Sequence, residues 1–211
     1  AYVGDNKEED VVTIKQLYAT NGTVEDDLNK DRLHFANNYT GATTVTGVTL
    51  NLERETSLGV SGILAADNAK IVEVKNGALG TLNKIDFTNT ALTTAGTSLE
   101  VTGDATFAGE NTMNVVDYFK VDNQATITSG SLSTGTAAFD AGSLEVTDAT
   151  LTASSVKVTG NATATGMNTL HADTVTVDGA AAVTSGSLLM DKAAFRAGTL
   201  DVTGATLTAS S

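Results

Sequence analysis

His34 and His171 are the only side chains in this 211-residue chain whose ordinary pKa lies near neutrality. General acid–base work by either needs an oriented partner, and spacing assigns no serine or carboxylate to either one. His171 stands at the repeat position that an earlier copy fills with Asn114, which reads as an exposed polar site. The acidic stretch Asp5 to Asp10 and the pair Asp26-Asp27 offer oxygen ligands for calcium. Neither has EF-hand spacing or a glycine-aspartate nonapeptide, so a solvated acidic face is expected. Zinc-ligand spacing, a phosphate-binding loop and a nucleophile elbow are also missing. The sequence therefore assigns no catalytic, cofactor-binding or metal-ligating residue and implies no cofactor.

Two further patterns have a plainer reading. Asn21-Gly22-Thr23, Asn38-Tyr39-Thr40 and Asn161-Ala162-Thr163 are formal glycosylation sequons. In a chain this rich in Asn, Thr and small residues they read as turn chemistry. The pairs Thr163/Thr165, Thr174/Thr176 and Thr206/Thr208 would form a flat ice-binding array only if stacked in one column. Their spacing does not place them so, and they read as β-forming residues on solvated faces.

Twelve basic against 25 acidic residues give a net charge of −13, which disfavours nucleic acid and anionic membrane surfaces as partners. No apolar run reaches the ~20 residues of a membrane span, so no membrane insertion is expected. Beginning on Ala1 suits a chain whose export signal has been removed. The chain has no Cys, which excludes a disulfide framework, and no Pro. Pro removes a ladder hydrogen bond, so its absence fits a fold whose strands are paired on both sides.

The elements that must position any site come from an internal repeat. Ser129–Ser155 and Ser185–Ser211 share 19 of 27 letters, 56 positions apart. Leu132, Phe139, Leu144, Val146 and Leu151 recur as Leu188, Phe195, Leu200, Val202 and Leu207, while Asp140 becomes Arg196. Apolar letters are held and polar ones drift, the signature of shared packing. Upstream, the stretches beginning at Val121 and Val177 match, as do those at Val101 and Val158, now 57 apart. A weaker echo begins at Asp67. The clearest units are 101–157 and 158–211.

Inside each unit the phrase is apolar, polar, apolar, then a turn residue, as in Leu144-Glu145-Val146 before Asp148. Such alternation marks a half-buried strand, with Leu144 and Val146 inward and Glu145 in water. Helices of ten residues have no room between the phrases. A β-sandwich needs roughly 100 residues per unit and fits a 56-residue repeat poorly. A parallel β-solenoid with three coils of about 19 residues per unit fits better, and some eleven such coils would span on the order of 50 Å. The phrases ending at Val146, Val158, Val177 and Val202 are unevenly spaced, by 12, 19 and 25. Either the loops differ in length or the phrases lie on different faces.

Val/Leu-x-Val phrases closed by Thr-Gly or Asp-Gly turns, Thr/Ala/Ser/Gly-rich linkers, no Cys and an acidic balance run from about Val45 to Ser211. In these features the chain resembles the passenger regions of bacterial autotransporters and filamentous-haemagglutinin-like adhesins. The resemblance implies a right-handed parallel β-helix at the extracellular bacterial cell surface, part of a longer chain, with no catalytic residues. The expected partner is then a protein or glycan of a host or neighbouring cell.

Residues 1–40 carry no clear copy of the repeat and are expected to cap a solenoid occupying 41–211. Thr23 with Asp26 offers a helix start, but Val24, Leu28, Leu33 and Phe35 fit one helical face badly. A β-hairpin at the Asn21-Gly22 turn signal, or an irregular cap, is the alternative. The expected function is a non-enzymatic structural or adhesive stalk. The alternatives are a self-assembling surface-layer or filament subunit and a carbohydrate-active enzyme on the same scaffold. That enzyme would need clustered acids and sugar-stacking aromatics, and aromatics are 5% of the chain.

Overall fold

The computed structural model describes residues 11–14, 18–20, 23–25, 42–52, 62–191 and 194–209. All the regular structure among them is β. The strands begin with β1 (Val11–Ile14), β2 (Tyr18–Thr20), β3 (Thr23–Glu25), β4 (Thr43–Thr46), β5 (Thr49–Leu52) and β6 (Ile63–Asp67). They continue with β7 (Lys70–Glu73), β8 (Lys84–Thr88), β9 (Ala91–Thr93), β10 (Ser98–Val101), β11 (Ala105–Asn114) and β12 (Tyr118–Ser133). The series ends with β13 (Ala138–Thr152), β14 (Ser155–Val158), β15 (Ala162–His171), β16 (Thr174–Asp191), β17 (Ala194–Val202) and β18 (Ala205–Ala209).

Sixteen of these strands form one continuous sheet in which each coil pairs in parallel with the coils before and after it. The sheet wraps three faces around a common interior, so the fold is a parallel β-solenoid. One inward column on the first face shows the stacking: Val45, Ala66, Phe87, Phe107, Ile127, Val146, Ala164, Val183 and Val202 lie in successive register. The column makes about eight turns, or roughly 38 Å at ~4.8 Å per coil. That is fewer than the eleven that dividing the whole chain by 19 suggests. The first coils take 21 residues each, and residues 11–14 add a strand to the second face alone.

The uneven phrase spacing is resolved by face. Val146 and Val202 belong to the first face, whereas Val158 and Val177 are stacked neighbours on the third. Coils therefore have nearly constant length, and the phrases sample two of the three faces.

The interior is filled by the alternating apolar letters. Leu144 is 5% exposed and Val146 3%, while Glu145 between them is exposed, as the period of two requires. Four phenylalanines thicken the middle of the core: Phe87 and Phe107 from the first face meet Phe119 and Phe139 from the third. Successive ring centroids are 6.2, 6.0 and 5.5 Å apart, and all four rings are fully buried. The first two contacts are edge-to-face and the third is tilted, and such ring contacts add to the burial of large apolar area.

In the N-terminal segment, β1 joins the ladder in parallel with β5, Val11 opposite Thr49. β2 and β3 pair antiparallel with Thr20 opposite Thr23, as the β-hairpin alternative has it, and Asn21 and Gly22 themselves lie outside the described residues. Thr23 to Glu25 is strand; the rest of the candidate helix lies outside the described residues.

Candidate functional site

Of the sequence candidates, His171 sits exposed at the end of β15 on the second face, its backbone in register with Thr152 and Asp191. Asn161 turns a corner, its Oδ1 accepting the Ala180 N–H at 2.9 Å, a bond between coils that accounts for this asparagine. The three Thr-x-Thr pairs fall on three different faces: Thr163/Thr165 on the first, Thr174/Thr176 on the third and Thr206/Thr208 on the second. No single array is formed by them. His34, Asp5 to Asp10, Asp26-Asp27, Asn21 and Asn38 lie outside the described residues. Among the described residues, no group of three or more His, Asp or Glu side chains is placed to hold a metal ion, and no helix is long and apolar enough to cross a membrane.

Three polar arrangements stand out instead. The first is a buried asparagine at the corner between the first and second faces. Asn111 Oδ1 accepts the Thr90 N–H of the preceding coil at 3.0 Å, while Nδ2 donates to the carbonyls of Ala108 and Gly109. Asn168, one repeat later, does the same with the Ala149 N–H and the carbonyls of Thr165 and Gly166. A corner breaks the ladder and leaves backbone groups without strand partners; one carboxamide satisfies three of them. Sequence reasoning missed both residues. The signal was Gly-x-Asn recurring 57 apart, Gly109-Glu110-Asn111 and Gly166-Met167-Asn168. Asn168→Ala is expected to cost about 2–4 kcal/mol in urea unfolding, since it strands buried backbone groups.

The second is Glu73, a buried acid. Its carboxylate accepts N–H groups from Gly77, Leu79 and Ala95 at 2.9, 3.2 and 2.9 Å. Those bonds organise the loop after β7 and use the acid structurally.

The third is a charge ladder outside the third face. Glu100, Lys120, Asp140, Lys157, Thr176 and Arg196 occupy the same outward position of successive coils. Lys120 Nζ lies 2.6 Å from Asp122 and 2.8 Å from Glu100. Hydrogen bonds to Asp122 and then Glu100 raise its pKa above the ordinary lysine value. Acid and base alternate through the first four positions, so no like charges are stacked, the cross-strand arrangement that favours one register.

The apolar feature is the last described coil. A cavity of about 40 Å³ opens among the final coils, lined by Leu144, Val158, Leu170, Val177, Leu200 and Leu207 among others. Leu200 is 47% exposed and Val202 39%. Comparison with protein-family models, curated proteins and solved structures finds no match to the chain.

Proposed function

We propose that the protein is a non-catalytic rod of the extracellular bacterial cell surface, acting as the stalk or adhesive surface of an autotransporter-like or filamentous-haemagglutinin-like adhesin. The observation that carries this reading is the continuous three-faced ladder, with its interior filled by side chains from Val45 to Met190. Such a stack resists bending, because every coil is hydrogen-bonded along the axis to its neighbours. Its outward faces of Thr, Ser and alternating charge are available to a protein or glycan of a host or neighbouring cell. The test is attachment of beads carrying the purified protein to host-cell surfaces and acidic polysaccharides, with released reducing ends measured in parallel. Saturable attachment without depolymerisation is expected. Depolymerisation would establish the enzyme alternative, and no saturable attachment to any surface would remove the adhesive role.

A second reading is a self-assembling surface-layer or filament subunit. Ordered polymers forming without added ligand would decide for it.

A further inference from the structure

The loop after β7 carries one of the chain's two Asn-Gly pairs, Asn76-Gly77. The Ala78 N–H donates to the Lys75 carbonyl at 3.0 Å and closes a tight turn in which Gly77 stands third, at φ +89. A left-handed third residue is what a type II turn requires, so the fold demands this glycine. Its lack of a side chain has a chemical consequence: nothing on the following residue shields an asparagine side chain from attack by the next backbone nitrogen. Asn76 and Gly77 are both exposed, so water reaches them.

The nitrogen that would attack is nevertheless engaged. The Gly77 N–H donates to Glu73 Oε1 at 2.9 Å, the same oxygen accepts the Leu79 N–H at 3.2 Å, and Oε2 accepts the Ala95 N–H of the next coil at 2.9 Å. Glu73 is buried. Taking the proton from Gly77 would set an amide anion beside a buried carboxylate, where like charges repel far more than in water. The Asn76 carboxamide is held too, packed so closely on the next coil that a Cβ on Gly96 would lie 2.7 Å from its Oδ1 and 3.4 Å from its Cγ.

We propose that Asn76 is a latent self-modification site, kept silent by Glu73 and released when the loop after β7 lifts from the solenoid. In the released loop the Gly77 nitrogen bonds to Asn76 Cγ, the Cγ–Nδ2 bond breaks, and ammonia leaves with the proton that the backbone nitrogen gives up. Water then opens the five-membered imide at either carbonyl, leaving aspartate or isoaspartate at position 76. Either product adds a carboxylate to the loop that Glu73 organises. Isoaspartate also lengthens the main chain before Gly77 by a methylene and carries its N–H away from Glu73. A loop that has reacted no longer fits its former bonds, so a transient opening becomes permanent. This chemistry does not depend on the display role.

The test incubates the full chain, folded and in guanidinium chloride, and follows the mass gain of amide-to-acid conversion in the peptide containing residue 76. Conversion should be about ten- to hundredfold slower in the folded chain, the worth in rate of a hydrogen bond to a charged group. Glu73→Ala should remove most of that protection while circular dichroism stays strand-dominated. Glu73→Gln keeps the size of the side chain and an acceptor oxygen but turns an amide toward the remaining N–H groups. It should convert faster than the native protein and slower than the unfolded chain, and it serves if the alanine variant fails to fold. After conversion, the amides of residues 77, 79 and 95 should lose protection from hydrogen exchange. Equal rates in the folded and unfolded chain, or a folded Glu73 variant that converts no faster than the native protein, would overturn the proposal. So would full protection of residues 79 and 95 after complete conversion, which would show the reacted loop still docked.

Discussion

Leu144→Asp will lower the stability of the solenoid by more than about 4 kcal/mol, whereas Leu200→Asp will cost about 1 kcal/mol or less. The two leucines are the same letter of the repeat. Leu144 points inward from β13 between Ala125 and Ala162 of the adjacent coils, within a lining of Val146, Val156, Val158 and Leu170. No cation or hydrogen-bond donor side chain is among those neighbours, so a carboxylate there loses its hydration without compensation. Leu200 has Ala181 on one side, and its 47% exposure leaves an introduced carboxylate in water. Urea unfolding of both variants checks the difference. pH adds a second signature with a defined sign. A carboxyl in the dry column has its folded pKa raised above the unfolded value near ~3.9, so the native state binds the extra proton. The Leu144→Asp defect should therefore shrink as pH falls from 7 toward 5, and the Leu200→Asp defect should stay constant. Equal costs at 144 and 200 would show that the last coil is covered as the earlier one is.

That contrast also marks where sequence stops being informative. Period-two alternation around Leu144-Glu145-Val146 gave the facing of each residue correctly, because burial at every second position is all that a half-buried strand requires. Repeat identity carries the inward facing on to Leu200, whereas burial in a solenoid comes from the neighbouring coils, which no local window contains. Val202, the repeat counterpart of Val146, is 39% exposed for the same reason. Face assignment was hidden likewise, since phrases of one type occur on both the first and third faces. Asn111 and Asn168 were illegible in a different way: an asparagine among Gly and Thr reads as loop, and only the path of the chain shows it buried at a corner, serving the backbone of two coils. The hairpin of β2 and β3 was legible as one of the stated alternatives because Asn-Gly is a short-range signal.

The corner between the first and second faces yields the other large effect. Its left-handed positions are filled by different letters along the stack: Gly47, Asn68, Asn89, Gly109, Ser129, Asp148, Gly166, Gly186 and Gly204. Asn, Asp and Ser tolerate that conformation through local hydrogen bonds, so glycine is not demanded by φ alone. It is demanded where coils touch. A Cβ on Gly186, at φ +71, would meet the backbone of Gly166 in the coil beneath, 2.6 Å from its carbonyl carbon and 2.9 Å from its Cα. Those are main-chain atoms held by the ladder and cannot swing aside. Gly204, at φ +64 on the next turn, has its nearest such neighbour, the Thr184 carbonyl oxygen, at 3.8 Å, an ordinary contact. Gly204→Ala should therefore cost only the left-handed backbone penalty of about 1–2 kcal/mol. Gly186→Ala adds an overpacking cost to the same penalty, for a total above about 3 kcal/mol. Replacing each glycine with asparagine separates the two contributions. Asparagine relieves the φ penalty at both sites, so Gly204→Asn should recover most of the loss, whereas Gly186→Asn should remain as damaging as the alanine. Recovery at both sites would mean that the coils at this corner spread apart to admit a side chain, and that close backbone stacking is not what selects glycine there.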